Sequence, residues 1–447
     1  MTHPKQSAAD RRAAAPTFAE AVRVWFKIGC LGFGGPAGQI ALMHRIVIDE
    51  KKWIDEPRFL HALNYCMLLP GPEAQQLATY VGWLLHGVRG GLAAGILFVL
   101  PGALVMLGLS ALYALARGVP LVEGALFGIK AAVLVVVVEA LIRIGRRALK
   151  TATLVAVAVA AFAGIFLFDL PFPLIVALAA LAGFLAARVA PQSVGLSTVA
   201  RQAPATRGGR WKPALLAGAV WLTAWWAPVA LAVLLLGDGH VLVTIGLFFS
   251  KLAVVTFGGA YAVLAYLAQE TVATYRWLAP GEMIDGLGLA ETTPGPLILV
   301  TQFVGFLAAF RDSAPFTPLT AAILGAAMTT WVTFVPSMMW IFVGARFIEE
   351  LRGNTRLAGA LAAITAAVVG VVLNLSVWFA LHVLFGRVQE MRAGPLRWFA
   401  VDFANLDLRS VSLTVIAAFL TFALHVGLVW TIAIMAALGI VVKSALG

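Results

Sequence analysis

Two triplets break long apolar stretches of this chain, Pro70-Gly71-Pro72 and Pro294-Gly295-Pro296. Proline removes a backbone donor and clashes with the carbonyl one turn back. The residue before a proline avoids the helical region. Each triplet therefore predicts a helix split into two halves. The half that follows the break presents free N–H groups and the positive end of its dipole, an anion site that needs no charged side chain. Phe33-Gly34-Gly35-Pro36 and Phe257-Gly258-Gly259-Ala260 form a second pair of breaks, where glycine allows close backbone approach or positive φ. Close packing through small residues is the purely structural alternative there. Lys27 and Lys251 precede these breaks at matching positions. An ionisable residue in an apolar span is a functional candidate, although lysine near a helix end can also snorkel to the interface. Glu73, Gln75 and Gln76 follow the first triplet, and Glu291, Thr292 and Thr293 precede the second. The expected substrate-binding set is Lys27, Gly34, Gly35, Pro70, Gly71, Pro72, Gln75, Gln76, Lys251, Gly258, Gly259, Thr292, Thr293, Pro294, Gly295 and Pro296. Glu73 and Glu291 are the candidates for carrying a coupling proton, with a dipole-stabilised cap as the structural alternative for Glu73. Lys130 and Glu139 flank an apolar run, and Glu139 precedes Arg143 by four, the order of a structural ion pair.

These breaks recur in register. Lys27, Phe33, Gly34, Gly35, Trp53 and Pro70-Gly71-Pro72 each have a partner 224 positions later. Beyond them the offset rises to 235, pairing Pro101 with Pro336, Gly124 with Gly359 and Ala131-Ala132-Val133 with Ala366-Ala367-Val368, as if the second copy carried a loop insertion. Charged residues make up 12% of the 447 residues and hydrophobic ones 61%. Apolar runs long enough to cross a bilayer recur throughout. The chain reads as an all-α polytopic membrane protein with two homologous repeats of inverted topology and Pro-Gly-Pro-broken helices. It has about thirteen spans (six, one and six), or fewer if the broken runs are re-entrant.

The expected organisation is a disordered tail at 1–16, a first repeat at 17–190 and a basic linker at 191–212. A linker span at 213–236 and a second repeat at 240–447 follow. A single span between the repeats would turn them to face opposite ways. No cleavable signal segment is evident. The net charge of +11 lies in loops, where the positive-inside rule and anionic lipid explain it without nucleic acid. Arg143, Arg146, Arg147 and Lys150, the 190–212 linker, and Arg346, Arg352 and Arg356 fall on the cytoplasmic side with the N-terminus. The C-terminus falls outside, and the arginine-rich 387–409 loop fits its outer side badly. Cys30 and Cys66 suggest neither a disulfide framework nor a metal site. No cofactor, metal or enzyme signature is present, and an intramembrane enzyme or scaffold is a remote alternative.

The constellation Phe33-Gly34-Gly35-Pro36, Trp53, Leu69-Pro70-Gly71-Pro72, Gln75-Gln76 and Phe98-Val99-Leu100-Pro101-Gly102 resembles the chromate transporter family. Phe257-Gly258-Gly259 and Thr293-Pro294-Gly295-Pro296 fit its C-terminal domain. That family has duplicated long-chain members and half-length members that work as pairs. The resemblance implies export of chromate, a tetrahedral dianion, from the bacterial cytoplasm across the inner membrane, with sulfate as competitor. Membrane potential would drive it, and proton antiport and a homodimer are left open. The residues alone reach only a small anion held between inverted repeats, so sulfate or another small anion stays an alternative substrate.

Overall fold

The computed structural model describes residues 16–67, 69–195, 211–257, 260–344 and 355–446. The expected tail up to residue 15, most of the linker, Gly258, Gly259, Arg346 and Arg352 lie outside them. Apart from one two-stranded ribbon, the regular elements among the described residues are helices.

The first repeat opens with α1 (Phe18–Leu31), capped by Thr17, whose Oγ1 accepts from the Glu20 N–H at 3.2 Å. Gly34 (φ 85°) and Gly35 (φ 67°) turn the chain into α2 (Gly35–His44), which runs on as a π-turn to Glu50. Asp55 caps α3 (Glu56–Cys66), and Pro70-Gly71-Pro72 separates it from α4 (Glu73–Ala116). α4 is two arms joined by non-helical residues His86 and Gly87. Three further helices complete the repeat: α5 (Pro120–Ala148), α6 (Ala152–Phe168) and α7 (Phe172–Val189). α8 (Trp211–Leu236) links the repeats and lies along α9 and α13.

The second repeat restates the first. α9 (Val241–Val255), α10 (Ala260–Gln269) with its π-turn to Thr274, α11 (Pro280–Thr292) and α12 (Val300–Arg311) correspond to α1, α2, α3 and the first arm of α4. α13 (Pro318–Gly344) and α14 (Thr355–Leu384) correspond to the second arm of α4 and to α5. α15 (Leu408–Ala418) and α16 (Leu428–Leu446) close the bundle. The likeness extends to single hydrogen bonds. The Trp53 N–H donates to Val47 O at 2.9 Å and the Trp277 N–H to Thr271 O at 2.8 Å, while Lys52 and Arg276 both hold φ 53°. The step in offset from 224 to 235 falls where the tight His86–Gly87 turn of α4 is replaced by the longer loop 312–317.

The repeats are inverted. Lys51, after the π-turn, pairs with Glu20 in the first turn of α1 at 2.7 Å, and His86 Nε2 meets Pro16 O at 2.8 Å. The excursions α1–α2 and α3–α4 thus both return to the end where they began. In the second repeat His240 meets Ala314 O at 2.8 Å and Arg311 pairs with Glu282 at 2.7 Å, so its excursions also return to their start. These two sets of ends lie at opposite ends of the second arm of α4, because Arg117, just beyond Ala116, pairs with Glu282.

Seven helices among the described residues are long and apolar enough to cross a membrane: α4, α5, α7, α8, α13, α14 and α16. This is an all-α multi-pass membrane protein with internal pseudo-symmetry. The 387–409 segment, read as a loop, contains an antiparallel ribbon of β1 (Val388–Ala393) and β2 (Leu396–Val401) turning at Gly394. Asp169, at the end of α6, holds it through Arg392 (2.7 Å) and Arg397 (2.5 Å). Those pairings account for arginines that strained the charge pattern.

Candidate functional site

The four breaks meet in pairs across the repeats. The Gly71 N–H donates to Thr256 O at 2.8 Å, and the Gly295 N–H donates to Gly32 O at 2.9 Å. Each Pro-Gly-Pro break is therefore tied to the residue just before the Phe-Gly-Gly break of the other repeat. Gly71 (φ 120°) and Gly295 (φ 95°) occupy backbone regions that favour glycine. A side chain at Gly71 would press on Ser337 and Gln76, and one at Gly295 would press on Leu299 and touch Gly102. Ser337 and Gly102 follow the matched prolines Pro336 and Pro101, so this second contact is also shared by the repeats. An unpaired N–H at membrane depth costs several kcal/mol, which explains why the broken backbone is bonded across the interface.

Glutamines brace both crossings. Gln39 Nε2 donates to Gly32 O (3.1 Å) and Gly295 O (2.5 Å). Gln76 Nε2 donates to Pro70 O (2.8 Å), and Gln75 Oε1 accepts from Ser337 Oγ (2.5 Å). The expected ligands Gln75 and Gln76 thus hold the break in shape, although the Oε1 atoms of Gln39 and Gln76 remain buried without a hydrogen bond. Thr292 and Thr293 donate to the carbonyls of Leu289 and Ala290 of their own helix. Pro70, Gly71, Pro72, Pro294, Gly295 and Pro296 are buried. Glu73 lies in the first turn of α4, with Oε2 buried and unbonded.

Lys27 and Lys251 are not brought to the crossings. Both are exposed on the outside of their helices. Lys27 shares its stripe with Phe26 and Leu31, and Lys251 shares its stripe with Leu247 and Val254, all exposed apolar residues. Lys251 Nζ sits 5.5 Å from the Tyr266 ring centroid. Such stripes suit lipid, along which a lysine stem can snorkel.

A cavity of about 250 Å³ lies beside the crossing of Gly32 with Gly295. Gly34, Glu139, Arg143, Tyr261, Glu291 and His425 line it. α5 supplies Glu139 and Arg143, which stand 4.0 Å apart as the spacing predicted. α10 supplies Tyr261, whose hydroxyl donates to Glu291 Oε1 of α11 at 2.8 Å. His425 comes from the turn between α15 and α16. Sequence reasoning picked out Gly34 and Glu291 but assigned Arg143 to an ion pair and to the cytoplasmic cations, and it missed Gln39, Tyr261 and His425. The available signals were slight, since Gln39 and Tyr261 merely follow the two Phe-Gly-Gly breaks closely. Among the described residues no group of three or more His, Cys, Asp or Glu could hold a metal ion.

Inverted repeats, breaks that meet between them and a charged cavity at their interface define a secondary transporter. The profile of the chromate transporter family matches residues 19–184 and 243–440, and the chain belongs to that family. It is 33% identical to the chromate transport protein of Pseudomonas aeruginosa, over 90% of this chain and 89% of that one. It is 26% identical to the chromate transport protein of Cupriavidus metallidurans, over 83% and 84% of the two chains. An uncharacterized transporter of Bacillus subtilis is 30% identical over 28% of this chain and 71% of its own length. No solved structure matches the chain.

Proposed function

We propose that the protein exports chromate from the cytoplasm, with Arg143 as the cation that first meets the anion. The observation that carries this reading is the cavity beside the crossed breaks, where an arginine stands in reach of both repeats. Its two carboxylates, Glu139 and Glu291, oppose a dianion when ionised, which makes Glu291 the leading coupling group and keeps Glu73 as a second. The half-helix starts at Pro72 and Pro296 add positive dipole ends, although each break has committed its glycine N–H to the other repeat.

On this reading α1–α2, α3 with the first arm of α4, α9–α10 and α11–α12 are re-entrant. The second arm of α4, together with α5, α6, α7, α8, α13, α14, α15 and α16, then crosses the membrane, and the count falls from thirteen to nine. An odd number puts the N-terminus in the cytoplasm and the C-terminus outside. The excess of cations at the end bearing Arg146, Arg147, Lys150 and Arg188 supports that orientation. Accessibility labelling that places 44–58 and 268–282 on the same side would sink the topology.

Export needs no coupling ion to run downhill. One charge moved through 100 mV is worth about 2.3 kcal/mol, so a dianion gains roughly 4.6 kcal/mol on leaving a negative-inside cell. The test is chromate flux from liposomes carrying the purified chain, with the potential clamped at several values and sulfate as competitor. Flux that rises with inside-negative potential supports the reading. Flux of sulfate alone would reassign the substrate, and no oxyanion flux would reject the reading.

A further inference from the structure

The seam between α5 and α11 carries a second charged level that the cavity does not use. Lys130 lies on α5 well before Arg143, and Asp285 on α11 lies six residues before Glu291, about 9 Å along the helix. Between the two levels Gly288 lies under Ile129 and Val133, so an apolar step separates them. The Asp285 side chain is 1% exposed. Its Oδ2 accepts from the Tyr113 hydroxyl at 2.9 Å. Its Oδ1 accepts no hydrogen bond and faces Lys130 Nζ at 3.3 Å. Lys130 is 27% exposed, and its ammonium passes over Gly281, where a side chain would crowd it. The neighbouring charges are already committed. Glu282 on the same helix holds Arg117 from beyond α4 and Arg311 from α12, and Lys443 of α16 holds Glu123. Three cations, Arg117, Lys130 and Arg311, therefore face two carboxylates.

We infer that Lys130 is a second subsite for the transported oxyanion, masked by Asp285 and uncovered when Asp285 takes up a proton. This rests on the transport reading above. An ionised Asp285 and a tetrahedral dianion compete for one ammonium and repel each other. A proton placed on Oδ1, the oxygen without a hydrogen bond, removes the competitor and frees Lys130 for the anion. Linkage makes the effect reciprocal: an anion on Lys130 favours the proton on Asp285 by the same factor. Proton and anion then occupy the site together rather than in exchange. The device belongs to one repeat, because the positions corresponding to Lys130 and Asp285 are Thr365 and His61.

The test measures chromate half-saturation against pH in liposomes at a fixed potential, for wild type and variants. Chromate's own protonation is common to all of them, so the difference between proteins isolates Asp285. For the wild type, half-saturation should fall roughly tenfold from alkaline to mildly acidic pH beyond any change shown by Asp285→Asn, within the usual range of coupling between linked sites. Asp285→Asn should hold the low value throughout, and Lys130→Gln should stay weak at every pH. Asp285→Asn leaves a lysine without its partner, so the neutral double variant Lys130→Gln/Asp285→Asn guards against misfolding and should match Lys130→Gln. A purely structural ion pair would change stability without moving the pH profile. A working wild type whose profile is shared by Asp285→Asn, Lys130→Gln or the double variant overturns this inference alone. A wild type that moves no oxyanion overturns the transport reading and this one with it.

Discussion

The two crossings share a backbone and differ in chemistry. Both pair a Pro-Gly-Pro glycine N–H with a carbonyl of the other repeat, at 2.9 Å for Gly295 and 2.8 Å for Gly71. Around the Gly295 crossing stand Glu139, Arg143, Tyr261 and Glu291. The positions that correspond to them by the repeat offsets are Asn374, Trp378, Ala37 and Met67. Asn374 and Trp378 line a cavity of only about 70 Å³, against about 250 Å³ for the charged one. Glu390 and Arg397 of the ribbon close in on that smaller cavity. Duplication thus supplied a symmetric way to satisfy broken backbone in lipid, while the side chains diverged, placing Arg143 between two glutamates at one crossing and Gln75, Gln76 and Ser337 at the other. Backbone bonding is demanded of both crossings by the cost of an orphaned N–H, whereas anion chemistry is needed only where the path runs.

If that comparison is right, damage to the shared backbone should be severe and nearly equal on both sides. Gly71→Val and Gly295→Val each place a branched side chain at positive φ beside packed neighbours. Strain alone costs about 1–3 kcal/mol, and crowding adds to it. Both should lower thermal stability in detergent and abolish chromate flux. A well-folded, active Gly71→Val beside a dead Gly295→Val would break the symmetry argued here.

Damage to side chains should be unequal. Arg143→Ala should remove most chromate flux, by a hundredfold or so if about 3 kcal/mol of charge-assisted binding is lost, while Trp378→Ala at the matching position keeps at least half. Flux assays on the pair, normalised to folded protein, decide between them. Equal losses would mean that both crossings carry substrate.

A smaller effect is expected at Tyr261. Tyr261→Phe deletes the hydroxyl that donates to Glu291, a bond worth about 1 kcal/mol or somewhat more. Flux should fall about fivefold to tenfold, with the Glu291→Gln/Tyr261→Phe double variant no worse than Glu291→Gln alone. Additive losses in that cycle would show that the two residues act separately.

The smallest effects should come from Lys27→Ala and Lys251→Ala. Both lysines sit on exposed apolar stripes, so flux and half-saturation should change less than about twofold. A large loss in both, partly rescued by Lys→Arg, would restore them to the binding set.

Much of this architecture was legible in one dimension. Proline and glycine act through the local backbone, so their recurring spacing pointed to the breaks and to two repeats, while the length of the apolar segment after the linker pointed to a helix between them. The loop insertion implied by the change of offset became the 312–317 turn. The ribbon at 388–401 went unread because charged residues masked the Gly394-Pro395 turn between its strands. The faces of α1 and α9 were unreadable for a different reason. Lipid is as apolar as a protein core, so the pattern that marks a buried stripe in water is lost in a membrane.

The sequence by itself determined a twice-repeated membrane protein with breaks at fixed positions, because local backbone chemistry and hydropathy suffice for that. Only the tertiary structure decided that Gly71 pairs with Thr256 and Gly295 with Gly32. It also joined Arg143 to Tyr261 and Glu291 in one cavity and set Lys130 against Asp285. Those contacts link residues far apart in the chain, and no local rule specifies which distant carbonyl or carboxylate will be within reach.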